Sequence, residues 1–471
     1  LKATLESLDK RITSELGAPD GKRNDALLAS LRSESSRAQK SLDETTAQIL
    51  REFPGYAELS NPAPLGLPQT QALLKPDEAL VEFLAMSDGA YVFAVTRENS
   101  AMQEIPLRVS ELADRVTNLR KGLFRGGPDG APATPFDLDA SHDLYVALFG
   151  PIENLLAKKP KLLVVPTASL TSLPFQVLVT RKPDAAVAQA DRYKKAAWLI
   201  NDKAIAVLPS VASLRALRVY AKASHANKPF IGFGDPLLQR SGTDKTKLVS
   251  RNVQPYQSYY KGTMVDLDAL RTGLPALPET GDELHAVARQ LGASDGDVRL
   301  GAAATVTNVK IASLDQYRVI DFATHGLVAG EVNGLSEPAL VLSLPEHPTA
   351  DDDGLLTASR VAKLTLDADW AVLSACNTAA GEKPGAEGLS GLARAFFYAG
   401  ARALLVSHWP VDSEAAVKLT TGAFSELAKN PTIGRAEALR RSMQKLIADP
   451  SSPQNSDPSL WAPFVLVGEG G

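Results

Sequence analysis

From residue 226 onward the chain alternates short apolar runs with amphipathic stretches, and this alternation restricts its fold more than any other feature. "PFIGFGD" (229–235), "VRLG", "YRVIDFATHG", "PALVLSL", "DWAVLSACNT", "RALLVSHW" and "WAPFVLVG" read as strands. Between them, "ETGDELHAVARQLG", "TVTNVKIASLDQ", "TASRVAKL", "GLSGLARAFFYAG" and "SEAAVKLTTGAFSELAK" carry helical spacing. The fourth of these helices runs into Gly400, the residue type that closes a helix in a left-handed conformation. Strands alternating with helices predict an α/β fold with a mostly parallel sheet and helices on both faces. In such a sheet the loops at the carboxyl ends of the strands carry the functional groups.

The rest of the chain is organised differently. Residues 1–60 read as a helical segment, two antiparallel helices joined around Gly17–Gly21, and "NPAPLGLP" at 61–68 punctuates it as a linker. Residues 61–225 predict a further α/β part. Two strand-like runs meet at Ser87-Asp88-Gly89 as a hairpin, helical stretches follow at 109–124 and 138–158, and "KLLVVPTASLTSLPF" and "KAIAVLPSVASLRALRVYA" are strands leading into turns or helices. Residues 226–471 form the second α/β part. The first residue is Leu rather than Met, so the sequence reads as part of a longer chain, with more helical hairpins expected upstream.

Composition narrows the function. With 44% hydrophobic and 22% charged residues, the 471-residue chain has the mix of a globular protein. A net charge of −4 and only short basic clusters, such as "RYKKAAW" at 192–198, argue against nucleic acid as a direct partner. No apolar run approaches the roughly 18 residues of a membrane span, so no membrane partner and a cytoplasmic location are expected. The single cysteine, Cys376, excludes an intramolecular disulfide and multi-cysteine metal sites.

Two strand ends then stand out. His325 closes "YRVIDFATHG" and Cys376 closes "DWAVLSACNT", both at the carboxyl edge of the predicted sheet. Neighbouring strands lie about 4.8 Å apart, so side chains at their ends can meet. An imidazole beside a thiol promotes the thiolate and can protonate a leaving amine, the minimum for nucleophilic acyl chemistry. The backbone N–H groups of Gly326 and Cys376 could form an oxyanion hole. Each residue alone is more often structural, a buried small thiol or a strand-end imidazole. Together, 51 residues apart, they match the His-to-Cys interval of about 50 residues in caspases, although "SACNT" meets the local caspase signature only in part.

The blocks "FATHG", "LSACNTAAGE", "GLARAFFYAGARALLVSHWPVD", "LLVVPTASLTSLPF", "LPSVASLRALR" and "GFGDPLL" resemble the CHAT family, caspase-like proteases attached to tetratricopeptide repeats. The likeness runs from about residue 60 to 471. It implies a caspase–separase fold, a catalytic dyad of His325 and Cys376, and a helical segment at 1–60 that ends a repeat array. Two positions depart from the family pattern. Asp321 stands where relatives often carry His; about 13 Å below His325 along a strand, it cannot orient the imidazole. Ser413 follows Asp412 where relatives often have a second acid, and in the related separases an acid in this region binds an arginine at the cleavage site.

Other candidates stay open. Asp235, ending the first strand of the second α/β part, is either a wall of the specificity pocket or a turn former. Asp412 either joins Glu414 in that pocket or caps the helix after it. With acids there and no arginine in "GFGDP" or "HWPVDSE", a basic residue before the scissile bond is expected. "GFGDPLL" is not a dinucleotide fingerprint, because Leu237 occupies the third glycine position. "ADDDG" at 350–354 lacks the acidic spacing of a calcium loop and reads as a solvated turn. His408 has a small claim to line the site. The loop at 237–262 either carries a self-cleavage site near Lys247 or Arg251 or is an inert insertion. The expected function is a cysteine endopeptidase acting on protein substrates without metal or cofactor, regulated by a protein activator through the helical region; the alternative is a silent caspase-like interaction scaffold.

Overall fold

The structure is a computed structural model that describes Leu8, Ile12 and residues 24–52, 64–86, 89–124, 134–184, 186–188, 191–220, 224–238, 260–261, 264–265, 270–271, 274–327, 337–349, 351–374, 388–409 and 411–471. It divides into two compact units, Leu1–Pro64 and Leu65–Gly471. In the first, α1 (Asp25–Glu52) starts at Asn24, whose side chain accepts the Leu27 N–H at 2.9 Å, and Leu28 and Leu31 are buried on one face. Leu8 and Ile12 are also helical, as the spacing predicts; the junction around Gly17–Gly21 lies outside the described residues.

The second unit is built on one eleven-stranded sheet. Its strands are β1 (Glu78–Met86), β2 (Gly89–Val95), β3 (Ser100–Ile105), β4 (Lys161–Val165), β5 (Ala204–Val207), β6 (Lys228–Gly234), β9 (Val298–Leu300), β10 (Tyr317–Ala323), β14 (Trp370–Leu373), β15 (Ala403–Ser407) and β16 (Phe464–Gly468). A two-stranded ribbon pairs β7 (Tyr260–Lys261) with β8 (Met264–Val265), and a three-stranded antiparallel sheet holds β11 (His325–Leu327), β12 (Ala339–Val341) and β13 (Leu355–Thr357). The main order is β3-β2-β1-β4-β5-β16-β15-β14-β10-β6-β9. Strands of residues 61–225 and of 226–471 therefore share one sheet.

Strand direction divides that sheet into two blocks. β15, β14, β10, β6 and β9 are mutually parallel, as are β1, β4, β5 and β16. The blocks meet where β15 pairs antiparallel with β16, Leu405 opposite Leu466. Their carboxyl ends therefore open at opposite edges. β3 was not foreseen in the sequence. "SAMQEI" lies at the sheet's edge and is exposed along most of its length, so it carries little apolar patterning to read.

Six helices, α2 (Val109–Lys121), α3 (Leu138–Phe149), α4 (Glu279–Leu291), α5 (Gly388–Ala399), α6 (Ser413–Lys429) and α7 (Arg435–Ala448), are the long ones of this unit. Phe322 stacks on Phe233 at 5.4 Å and meets Phe396 of α5 at 5.8 Å on one face. On the other face Gly232 and Gly234 let Leu284 of α4 approach; a Cβ at either position would lie 2.6–2.7 Å from it. Helices thus cover both faces of the block that holds β10 and β14, as the alternation predicts. Gly400 ends α5 with φ +118°, and its N–H and that of Ala401 return to the carbonyls of Phe397 and Phe396. A Cβ there would lie 2.1 Å from the Leu366 carbonyl oxygen, so glycine is required.

Candidate active site

β10 and β14 lie side by side and parallel, Phe322 opposite Leu373, so both open at the same edge. His325 does not close β10, as the sequence suggested. The main-sheet ladder stops at Ala323, because its partners β6 and β14 have ended there. Thr324 then turns the chain, donating its hydroxyl to the Val341 carbonyl, and His325 opens β11 opposite Val341 of β12. The imidazole is thus gripped between the main sheet and the small one, and it is 3% exposed.

One contact fixes its chemistry. His325 Nε2 lies 2.8 Å from the Pro275 carbonyl oxygen. A carbonyl only accepts, so Nε2 carries a hydrogen, and in the neutral ring Nδ1 then carries the lone pair. An imidazole held in that tautomer can take a proton at Nδ1 and return it, with the carbonyl stabilising the cation in between. Sequence reading missed Pro275. Its only signal is the proline pair in "LPALP" ahead of α4, and nothing local ties that loop to a histidine 50 residues on.

Gly326 follows His325 in β11, opposite Leu340. β14 ends at Leu373 and is followed by half-buried Ser374; Cys376, within 375–387, lies outside the described residues. So do Lys247, Arg251 and most of the loop at 237–262.

Asp235 sits one strand over from His325, directly after Gly234, which pairs with Ala323. Its φ is +43°, a left-handed conformation that a side chain resists. Its N–H donates to Thr280 Oγ1 at 2.8 Å and its carbonyl accepts from Gly301 N–H at 3.1 Å, which hold the turn in place. On the other side of β14, Asp412 caps α6, accepting the Ala415 N–H at 3.0 Å. Glu414 is 79% exposed and pairs with Lys418 at 2.9 Å. The fold thus brings Asp235 to the edge beside His325, while Asp412 and Glu414 already have helical roles.

Two further titratable groups lie beneath or beside this edge. Asp321 is fully buried on the α4 face, both carboxylate oxygens without a hydrogen-bond partner. Desolvation, with the charge of buried Glu283 on α4 added, holds its carboxyl well above the usual range. His408, just past the end of β15, is also buried, and desolvation plus the Arg120 charge push its imidazole down to about 3. The acids of "ADDDG" serve the fold: Asp353 pairs with Arg360, Asp352 accepts from Thr307 N–H and Oγ1, and Lys310 binds the Asp351 backbone. Among the described residues no cluster of side chains could hold a metal ion.

The family model for the CHAT domain matches residues 138–469. The chain belongs to the CHAT family. Mouse tetratricopeptide repeat protein 28 is 31% identical over 222 residues, covering 41% of this chain and 8% of that protein. The human protein of the same name is 30% identical over 222 residues, with the same coverage. The chain therefore spans under a tenth of the length of these relatives. Among solved structures, the separase–securin complex of Saccharomyces cerevisiae has 10% identity and a TM-score of 0.44, covering 99% of this chain and 37% of that one. The Arg-specific cysteine proteinase gingipain R has 11% identity and a TM-score of 0.36, covering 77% and 74%. In this CHAT chain the family match spans His325, Cys376 and the carboxyl ends of β14 and β15. It also takes in β4, β5 and α3, so it crosses from one block of the sheet into the other. Among the described residues no helix is long and apolar enough to cross a membrane.

Proposed function

We propose that this chain is a cysteine endopeptidase in which Cys376 attacks the peptide carbonyl and His325 moves the proton. The observation that carries the reading is a register: Phe322 pairs with Leu373, and His325 and Cys376 each stand three residues further along their chains. Nδ1 of His325, left basic by the Pro275 carbonyl, takes the thiol proton. The thiolate adds to the carbonyl carbon, and backbone N–H groups of Gly326 and Cys376 receive the oxyanion. The imidazolium then protonates the leaving amine, and water hydrolyses the thioester by the reverse steps. Asp235 faces a basic residue before the scissile bond, with a contribution from Asp412; Glu414, turned to solvent with Lys418, is the weakest of the three. The relatives named for tetratricopeptide repeats support regulation by a protein partner through the helical segment.

A peptidyl electrophile followed by mass spectrometry tests the reading. Cys376 is expected to react faster than a free thiol in solution, and His325→Ala to slow the reaction sharply. Labelling at the rate of an ordinary buried thiol, unchanged by His325→Ala, would leave a silent interaction scaffold. A fluorogenic panel varying the residue before the bond, read with Asp235→Ala and Asp412→Ala, tests the pocket. A preference for aspartate, or a basic preference untouched by both variants, would show the pocket to be elsewhere.

A further inference from the structure

Arg120, near the end of α2, is packed against the end of β15. Its guanidinium donates to the Ser172 carbonyl and, at 3.5 Å, to the His408 carbonyl, and it lies 5.4 Å over the Phe124 ring. Phe124 in turn meets Trp409 at 6.4 Å, and Trp409 lies 6.3 Å from His408 at a shallow angle. The group is well desolvated, which pulls it down to about 10, and no carboxylate among the described residues acts to raise it.

Comparably enclosed arginines are treated otherwise. Arg218 holds Glu78 and Glu469, Arg402 holds Asp367, and Arg435 holds Asp369. Two carbonyls and a ring face give Arg120 dipoles but, among the described residues, no counter-charge, and a desolvated cation without one is costly. Its neighbour supplies none: His408 is neutral, and its buried Nδ1 has no hydrogen-bond partner. Two polar groups with unused capacity therefore stand together at one strand end. That strand end is informative. β15 pairs with β14, Val406 opposite Leu373, so the cluster flanks the cysteine strand on the side away from His325.

We propose that Arg120 is the centre of a carboxylate-binding subsite that takes an acidic side chain of the peptide laid along this edge. The subsite rests on the endopeptidase reading for the nature of its ligand. The guanidinium offers paired N–H donors to a carboxylate, the geometry lysine cannot reproduce. Phe124 and Trp409 give the site an apolar wall, which strengthens a charge-assisted contact by excluding water.

The test uses Cys376→Ala protein, so that binding is read without turnover. Fluorescence polarisation compares labelled hexapeptides containing one arginine and differing only by Glu or Gln, the exchange being scanned along the peptide. At one position Glu is expected to bind about tenfold more tightly than Gln. That advantage should shrink in about 0.5 M salt, be lost in Arg120→Met, and survive in part in Arg120→Lys. Equal binding of Glu and Gln at every position would overturn the subsite, and this result needs no variant to fold. An advantage of undiminished size in either variant would overturn it as well. The two readings fail separately. Turnover by the intact protein with no Glu preference keeps the peptidase and removes the subsite. A Glu preference that depends on Arg120, in a protein whose Cys376 shows no enhanced reactivity, keeps the subsite and removes the peptidase.

Discussion

The two blocks of the sheet finish their strands in different ways. At the end of β4, Thr167 closes the chain, its hydroxyl donating to the Phe83 carbonyl at 2.9 Å and accepting the Ala85 N–H at 3.2 Å. At the end of β5, Leu208 N–H returns to Val164 and Ser210 caps the next short helix. Arg218 ties the same block together by bidentate pairs with Glu78 and Glu469. The other block ends β6 on a left-handed aspartate, passes from β10 into a buried histidine, and follows β15 with a histidine whose Nδ1 has no partner. Backbone strain is shared, since Ala168 after Thr167 (φ +50°) is as left-handed as Asp235 (φ +43°). The contrast lies in burial, one block spending its polar groups on closure and the other burying the His325 and His408 imidazoles just past its strand ends.

The sharpest way to break this comparison is to substitute one strand end in each block. His325→Ala is expected to lower peptidase turnover about a thousandfold, and Thr167→Val to leave turnover near wild type while lowering stability. Equal loss in both would show that the contrast is one of folding alone. Arg218→Met, which strands the buried Glu78 carboxylate, should cost about 3–5 kcal/mol in urea unfolding, with the pH dependence of any surviving activity unchanged.

A third test is acidic. His408 is neutral in the fold down to about pH 3, whereas an unfolded histidine takes its proton near 6.5. Its depressed value means full stability above about pH 6.5, lost as pH falls toward 3, by up to about 1.4 kcal/mol per pH unit. His408→Phe should flatten that part of the profile relative to wild type; an unchanged slope between pH 7 and 5 would count against a buried neutral imidazole. The smallest effect concerns Asp321. Its raised value works in the opposite direction: the contribution is present at low pH and lost as pH rises. Asp321→Asn should match wild type near pH 4 and melt about 2–4 °C higher by pH 8, as read by calorimetry. A variant that melts lower at every pH would mean that Asp321 has a hydrogen bond to lose.

Much of this was legible in the sequence because it is local. The alternation from 226 onward gives the strands and helices of the block around β10 and β14, and Gly400 announces its own cap. The His–Cys pairing is suggested by two strand ends, and the observed register of β10 against β14 gives them equal offsets. What could not be read is long-range or depends on pairing partners. No local pattern links Pro275 to His325, or Arg120 to a strand end 288 residues later. The break at Thr324 follows from where β6 and β14 stop, which the "VIDFATHG" run does not encode. Asp412 could be read as cap or pocket wall because both need a carboxylate at one position; the 3.0 Å bond to Ala415 shows the cap in use.

The placement of β16 has a consequence for how the molecule is made. It is the last strand of this sequence, yet it is the sixth of eleven in the sheet, with β5 on one side and β15 on the other. While the chain emerges from a ribosome, each block can form its own parallel ladder, but neither can join the other until residues 464–468 arrive. Until then β5 and β15 both present an unpaired, largely apolar edge, the kind that recruits strands from other molecules. The seam between the blocks is thus the last part of the sheet to be sealed, and the strand that seals it begins beside the carboxyl end of β15, where Phe464 pairs with Ser407.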